Sequence, residues 1–135
     1  MPPERMAPDD PHAWLNRARS NLVRAKADFR LSDVFLEDLC FDAQQAAEKA
    51  IKAVLIHLAV RFPYVHDLTT LLDIVAQSGI SIAASVREAG RLTRFAGVTR
   101  YPGLDEPVTQ EEYEQAVAIA EIVFQWANDI VGRRL

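Results

Sequence analysis

Between residues 87 and 100 the chain carries four arginines, Arg87, Arg91, Arg94 and Arg100, against one acid, Glu88. An arginine can hold a phosphate through two parallel hydrogen bonds. Arg87, Arg91 and Arg94 are spaced i, i+4, i+7, so on a helix they share one stripe. Arg100 is followed by Tyr101 within the stretch GVTRYPGLDEP, from Gly97 to Pro107, which contains two Gly and two Pro. A cation beside an aromatic ring on such a loop can hold a phosphate and stack a base. Lys52, with Lys49 and Gln45, is a further candidate for the same groove. Arg94, Arg100, Tyr101 and Lys52 are therefore the candidate nucleotide- or RNA-binding residues. The competing reading is internal pairing. Residues 101–132 hold seven acids and no base, and ion pairs between them and the arginine stripe would be solvated and worth little. Lys49 and Lys52 with Gln45 read first as the wet face of a helix.

Composition narrows the class. With 135 residues, half of them hydrophobic, the chain can build one real core. We expect a single domain over residues 9–135 behind a loose tail, Met1 to Pro8, which holds three of the seven prolines. A net charge of −4 argues against general, charge-driven nucleic-acid binding but leaves room for a local basic patch. The lone Cys40 cannot form an intrachain disulfide and reads as a small buried residue. One Cys and three scattered His build no metal cluster, so neither metal nor cofactor is expected. The N-terminus lacks an apolar core and carries early acids, unlike a signal peptide. No uncharged apolar run reaches the ~18 residues of a membrane span. These features predict a soluble, cytoplasmic protein with no membrane contact.

The elements that must position the candidate residues are helices. Asp10 before Pro11 is a helix start, an N-cap acceptor followed by a ring that needs no donor. Trp14, Leu15, Ala18, Leu22, Ala25 and Phe29 keep helical spacing and predict a first helix to about Arg30, with Arg17, Arg19, Arg24 and Lys26 on its other face. Ser32 or Asp33 can cap a second helix from Val34 to Val60, ended by Pro63. Its centre, AQQAAEKAIKA from Ala43 to Ala53, is the stretch around which the chain is organised. Ala43, Ala46, Ala47, Ala50, Ile51, Val54, Leu55 and Leu58 follow the i, i+3, i+4, i+7 rule. The alanines permit a close helix approach, while Gln44, Gln45, Glu48, Lys49 and Lys52 fill the other positions.

His66 or Asp67 can cap a third helix containing Leu68, Leu71, Leu72, Ile74 and Val75, closed by Gly79. Ser81 or Ser85 opens a fourth, ended by Gly97. Thr109 with Glu112 forms a capping box for the last helix, which runs to about Gly132. There is no strand signal. The expected fold is all-α, an antiparallel up-and-down helical bundle of four to five helices. The second and last helices carry broad apolar faces, more than a five-helix monomer needs to bury, and this predicts a homodimer.

The chain resembles the HEPN domain (higher eukaryotes and prokaryotes nucleotide-binding). The resemblance lies in Trp14-Leu15 with Ala18, in Ala43 to Ala53, in Val65-His66-Asp67-Leu68, and in Arg100-Tyr101-Pro102-Gly103. It implies a helical bundle, commonly a homodimer, associated with RNA either as a metal-independent ribonuclease or as a non-catalytic module. It also implies pairing with a minimal nucleotidyltransferase in a toxin–antitoxin arrangement.

The catalytic signature that the resemblance implies is an Arg followed four to six residues later by His. The ribose 2′-OH attacks the adjacent phosphate, the imidazole moves the proton, and the guanidinium stabilises the added charge. Arg100, the matching arginine, is followed by no His. A second match to the spacing is Arg61 with His66, which makes these the candidate catalytic residues. Their competing roles are a cation at the end of the second helix and a cap for the third. The absent His after Arg100 favours a dimeric nucleotide- or RNA-associated binding module with a degenerate ribonuclease motif. The alternative is a ribonuclease toxin using Arg61 and His66, or Arg100.

Overall fold

The central element is α2 (Leu36–His57), a 22-residue helix whose buried positions spread over most of its circumference. The computed structural model describes residues 9–27, 33–97 and 107–132. The expected tail, the Ser32 cap and the Arg100–Tyr101 pair lie outside the described residues. Around α2 stand α1 (Pro11–Ala25), α3 (Leu68–Gln77), the single turn α4 (Ala84–Arg87) continued by a 3₁₀ segment (Glu88–Phe95), and α5 (Gln110–Gly132). Helix α2 packs on α1, α5, α3 and the 3₁₀ segment. The described residues contain five α-helices and no strand.

The alanines do what their size allows. Ala43, Ala46, Ala47, Ala50 and Ala53 are fully buried where α1 and α5 pack on α2, and their small side chains allow a close helix approach. Ile51, Val54 and Leu55 fill the wider end of the same stripe. Trp14 of α1 faces Lys52, and Asn21 meets both Asp42 and Lys49, so α1 and α2 run antiparallel. Glu37 at the start of α2 accepts from the Val108 backbone N–H at 3.1 Å, so α2 and α5 begin at the same end of the bundle. The apolar stripes of α2 and α5 are buried within this one chain. That corrects the expectation that they leave surplus apolar faces. The exposed large apolar side chains are instead Val23, Val34, Phe35, Tyr64 and Ile122.

The caps follow the sequence at three starts. The Asp10 side chain accepts from the His12 N–H at 2.9 Å, and that of Asp67 from the Thr69 N–H at 3.1 Å. Thr109 and Glu112 exchange both bonds of the capping box, at 3.1 and 3.0 Å. Elsewhere the boundaries move. Helix α1 stops at Ala25, short of Arg30, because the Tyr113 hydroxyl takes the Ala25 carbonyl and Lys26 turns to Glu121. Helix α2 begins after Phe35, without a side-chain cap, and ends at His57. Its end is a Schellman closure. The Val60 N–H donates to the Leu55 carbonyl and the Ala59 N–H to Ile56, both at 3.0 Å. Ala59 therefore takes φ +57°, in the left-handed region.

The fourth helix is mostly 3₁₀, and Ala83 rather than a serine precedes it, with no side-chain cap. Its buried residues explain why. Val86, Ala89, Leu92 and Phe95 recur every third position, which a three-residue turn brings onto one face and an α-turn would spread.

Candidate functional site

Three polar residues of α2, Gln44, Glu48 and Lys52, are spaced i, i+4, i+8 and are 0%, 3% and 4% exposed. With Asp42, they are the buried polar residues of a helix whose other buried positions are apolar. Burying such groups is costly unless each finds partners, and here they do. The Gln45 side-chain amide donates to Gln44 Oε1 at 2.7 Å, and the Gln44 amide to Glu48 Oε1 at 2.9 Å. The Lys52 ammonium donates to Glu48 Oε2 at 3.0 Å. Glu48 Oε1 also lies 2.9 Å from His66 Nδ1. The expectation of a wet face at these positions is therefore wrong for Lys52 and Glu48. The chain between α2 and α3 covers them.

That connecting segment supplies most of the aromatic contacts to Lys52. The Lys52 ammonium sits 5.3 Å from the Tyr64 ring centroid, 5.8 Å from Trp14 and 6.0 Å from Phe62. Three rings from two segments thus surround one cation, each presenting π density to it. Tyr64 is 90% exposed and meets the His66 ring edge-on at 6.0 Å. The result is a buried carboxylate–ammonium pair with His66 and the exposed Tyr64 ring above it.

Electrostatics fix the state of its members. Burial pushes the Glu48 carboxyl up, but hydrogen bonds from His66, Gln44 and Lys52, together with the Lys52 charge, outweigh it. The net result lies below the ordinary carboxylate value, so Glu48 is ionised near neutrality and can only accept. His66 Nδ1 therefore donates to it, and Nε2 points away from Glu48 on a half-exposed ring. A carboxylate that orients an imidazole in this way prepares Nε2 to accept a proton or a hydrogen bond.

The other candidates are placed differently. Arg61 lies beyond the Schellman closure, exposed, and makes no ion pair or hydrogen bond among the described residues. It is Glu48, not Arg61, that partners His66. Each arginine of the 87–94 stripe has an acid. Arg87 pairs with Asp73 at 2.6 Å, Arg91 with Glu88 at 3.3 Å, and Arg94 with Glu112 at 2.6 Å. Arg91 also donates to Gln115. The hydrogen bond from Arg94, aided by Thr109, lowers the Glu112 carboxyl to about 2. A cavity of about 370 Å³ opens among Arg91, Arg94, Phe95, Glu112 and Ile119.

The family follows from the whole chain. A family model described as "HEPN domain" matches residues 11–130. The chain belongs to the HEPN family. A crystal structure of an archaeal HEPN homologue superposes with a TM-score of 0.71 at 22% identity, over 90% of this chain and 98% of the homologue. A second, of a protein from Thermus thermophilus, gives a TM-score of 0.70 at 29% identity, over 89% and 97%. No curated protein matches. The HEPN fold explains why α2 carries the site. Its central helix is the one element that touches α1, α3 and α5 together, so a polar stripe on it gathers side chains from distant parts of the chain.

The sequence spacing pairs Glu48 with Lys52, as observed, but it does not reveal Glu48 as the partner of His66, nor Gln44, Trp14 and Tyr64 as neighbours of the pair. The available signal was the i, i+4, i+8 run of Gln44, Glu48 and Lys52 beside the alanine stripe of α2. Among the described residues no group of His, Cys, Asp and Glu could hold a metal ion, and no helix is long and apolar enough to cross a membrane.

Proposed function

We propose that this HEPN protein is a nucleotide- or RNA-associated binding module, and that the surface over Glu48 and His66 is its contact site. The observation that carries this reading is the Glu48–His66 bond beneath the exposed Tyr64 ring. An aromatic face can stack a base, and His66 Nε2 can accept from a base or ribose donor beside it. Lys52 contributes less as a phosphate ligand than as the internal counter-charge of Glu48. Arg94 contacts Glu112, so phosphate binding there requires that pair to open. Arg100 and Tyr101 remain proposed ligands of the same molecule.

Family resemblance extends the proposal to a cytoplasmic homodimer paired with a minimal nucleotidyltransferase, of the toxin–antitoxin type. Exposed Phe35 and Val34 at the start of α2, not the alanine stripe, are the apolar groups available for such contacts. A sedimentation mass near that of one 15.1 kDa chain at micromolar concentration removes the dimer.

A second reading is favoured by one specific observation, an imidazole oriented by a carboxylate with Nε2 pointing away from it. In a ribonuclease this nitrogen takes the 2′-OH proton, the 2′ oxygen bonds to phosphorus, and the 5′ oxygen leaves. Arg61 or Arg100 then stabilises the charge on phosphorus. Purified protein with RNA in EDTA separates the two readings. Binding that weakens in Tyr64→Ala and His66→Ala without cleavage supports the module. Cleavage by the wild type that is lost in His66→Ala, with the helical spectrum intact, establishes the ribonuclease. Wild type that neither binds nor cleaves overturns both.

A further inference from the structure

A second group of basic residues, less fully neutralised than the 87–94 stripe, lies where α1 packs on α2. Arg17, Asn21 and Arg24 occupy i, i+4, i+7 on α1, and Asp42, Gln45 and Lys49 face them from α2. Asn21 and Asp42 are buried, with the Asn21 amide donating to Asp42 Oδ1 at 3.0 Å. The Lys49 ammonium donates to Asn21 Oδ1, a neutral acceptor, at 2.7 Å. Arg24 reaches Asp42 only at 3.5 Å and its side chain is 68% exposed. Arg17 is exposed and forms no ion pair among the described residues.

Arg24 and Lys49 thus rely on one carboxylate, Asp42, whose oxygen already accepts from Asn21, and Arg17 adds its charge beside Lys49. Glu48, the next acid along α2, is committed to Lys52 and His66. The crowding is visible in Lys49. Burial and the neighbouring Arg17 and Arg24 charges push its ammonium below the ordinary value, against the pull of Glu48 and Asp42. A protein of net charge −4 that gathers three cations around one nearby free acid can relieve that repulsion with a bound anion. The spacing sets the kind of anion. Arg17 and Arg24 are two helical turns apart, about 10 Å at 1.5 Å per residue, with Lys49 opposite the residue between them. Guanidinium forks at both ends and an ammonium in the middle suit an extended row of phosphate oxygens better than one small ion.

We propose that Arg17, Lys49 and Arg24 form a binding site for a chain of phosphate groups along the α1–α2 groove. Buried Asn21 and Asp42 position it, Asn21 by holding the Lys49 ammonium and Asp42 by holding Asn21. The site shares no residue with the surface over Glu48 and His66, and it stands or falls independently of that surface's function. The phosphates can belong to a nucleoside triphosphate or to a single-stranded RNA backbone.

Titration calorimetry at low salt tests the site with inorganic tripolyphosphate, which has no base or ribose for the Tyr64 surface to read. ATP and a short single-stranded RNA are run in parallel. Wild type is expected to bind tripolyphosphate. Arg17→Gln and Lys49→Gln are each expected to weaken binding about tenfold, as loss of one charge-assisted contact does. Arg91→Gln, whose arginine already has its acid, should leave it unchanged, and Tyr64→Ala should also leave tripolyphosphate binding unchanged. Circular dichroism verifies the fold of each variant. A tighter ATP complex that is lost in Arg17→Gln assigns the phosphates to a nucleotide. A tighter, salt-sensitive RNA complex lost in the same variant assigns them to a backbone, and either result supports the site. Tripolyphosphate that fails to bind wild type, or that binds folded Arg17→Gln and Lys49→Gln as well as wild type, overturns it. RNA binding that survives those two variants but falls in Tyr64→Ala rejects this site while keeping the Tyr64 surface.

Discussion

Glu48 and His66, eighteen residues apart, meet through Oε1 and Nδ1 at 2.9 Å. The same carboxylate holds Lys52 through its other oxygen. One buried acid therefore sets both the orientation of the imidazole and the charge balance beneath the aromatic rim. Removing one member of such a buried pair strands the other, which costs more than the pair itself contributes.

Glu48→Ala is accordingly expected to destabilise the protein by about 3–5 kcal/mol, because the Lys52 ammonium stays buried without its acid. Glu48→Ala combined with Lys52→Met should recover a large part of that loss, since the stranded charge is gone and Met can fill the space between Trp14 and Phe62. Urea unfolding of the two variants makes the comparison. An equal loss in both would show that Lys52 is not the cause.

Acid should act on the same carboxyl. Its folded-state value lies below the ordinary 4.5, so folding favours the ionised form. The stability it contributes is fully present above about pH 4.5 and is lost as pH falls through the lower folded value. Thermal melts of wild type should drop in that window, and Glu48→Gln should flatten the drop. A wild-type melting temperature as steep in pH as that of Glu48→Gln would count against the assignment.

Ala59 offers a gain. It sits at φ +57° in the Schellman closure of α2, a region costing a residue with a Cβ roughly 1–2 kcal/mol. Ala59→Gly relieves that strain but adds freedom to the unfolded chain. The expected balance is a stabilisation of about 0.5–1 kcal/mol, read as a higher urea midpoint with an unchanged slope. A lower midpoint would mean that the closure is not held as described.

The start of α5 depends on one hydroxyl. Thr109→Ala removes the acceptor for the Glu112 N–H and should cost about 1 kcal/mol. Amide exchange at Glu112 and Tyr113 should speed up while exchange in the middle of α5 does not.

The helices, most of their caps and the core were legible in the primary chain. Asp10, Asp67 and Thr109 with Glu112 cap as local chemistry demands. The alanine stripe and the apolar positions of α5 are buried where their period puts them. These features depend on neighbours a few residues away, and spacing alone records them. The family was legible too, since the order and spacing of short motifs survive in the primary chain. Two local readings failed for physical reasons. The fourth helix tightened to 3₁₀ because its apolar residues recur every third position, and α1 ended early because Tyr113, 88 residues distant, takes its last carbonyl.

Which charges find partners was left to the packing. Periodicity assigns Gln44, Glu48 and Lys52 to a solvated face because it counts them as polar. It cannot know that residues 62–66 fold back over them and that Trp14 arrives from α1. In the same way, the arginines dense in sequence at 87–94 are matched by Asp73, Glu88 and Glu112, while Arg17, Arg24 and Lys49, sparse in sequence, act on one another where α1 packs on α2. Charge density along a chain is one-dimensional. The Coulomb energy that makes a binding site depends on distances in space, and only packing sets those.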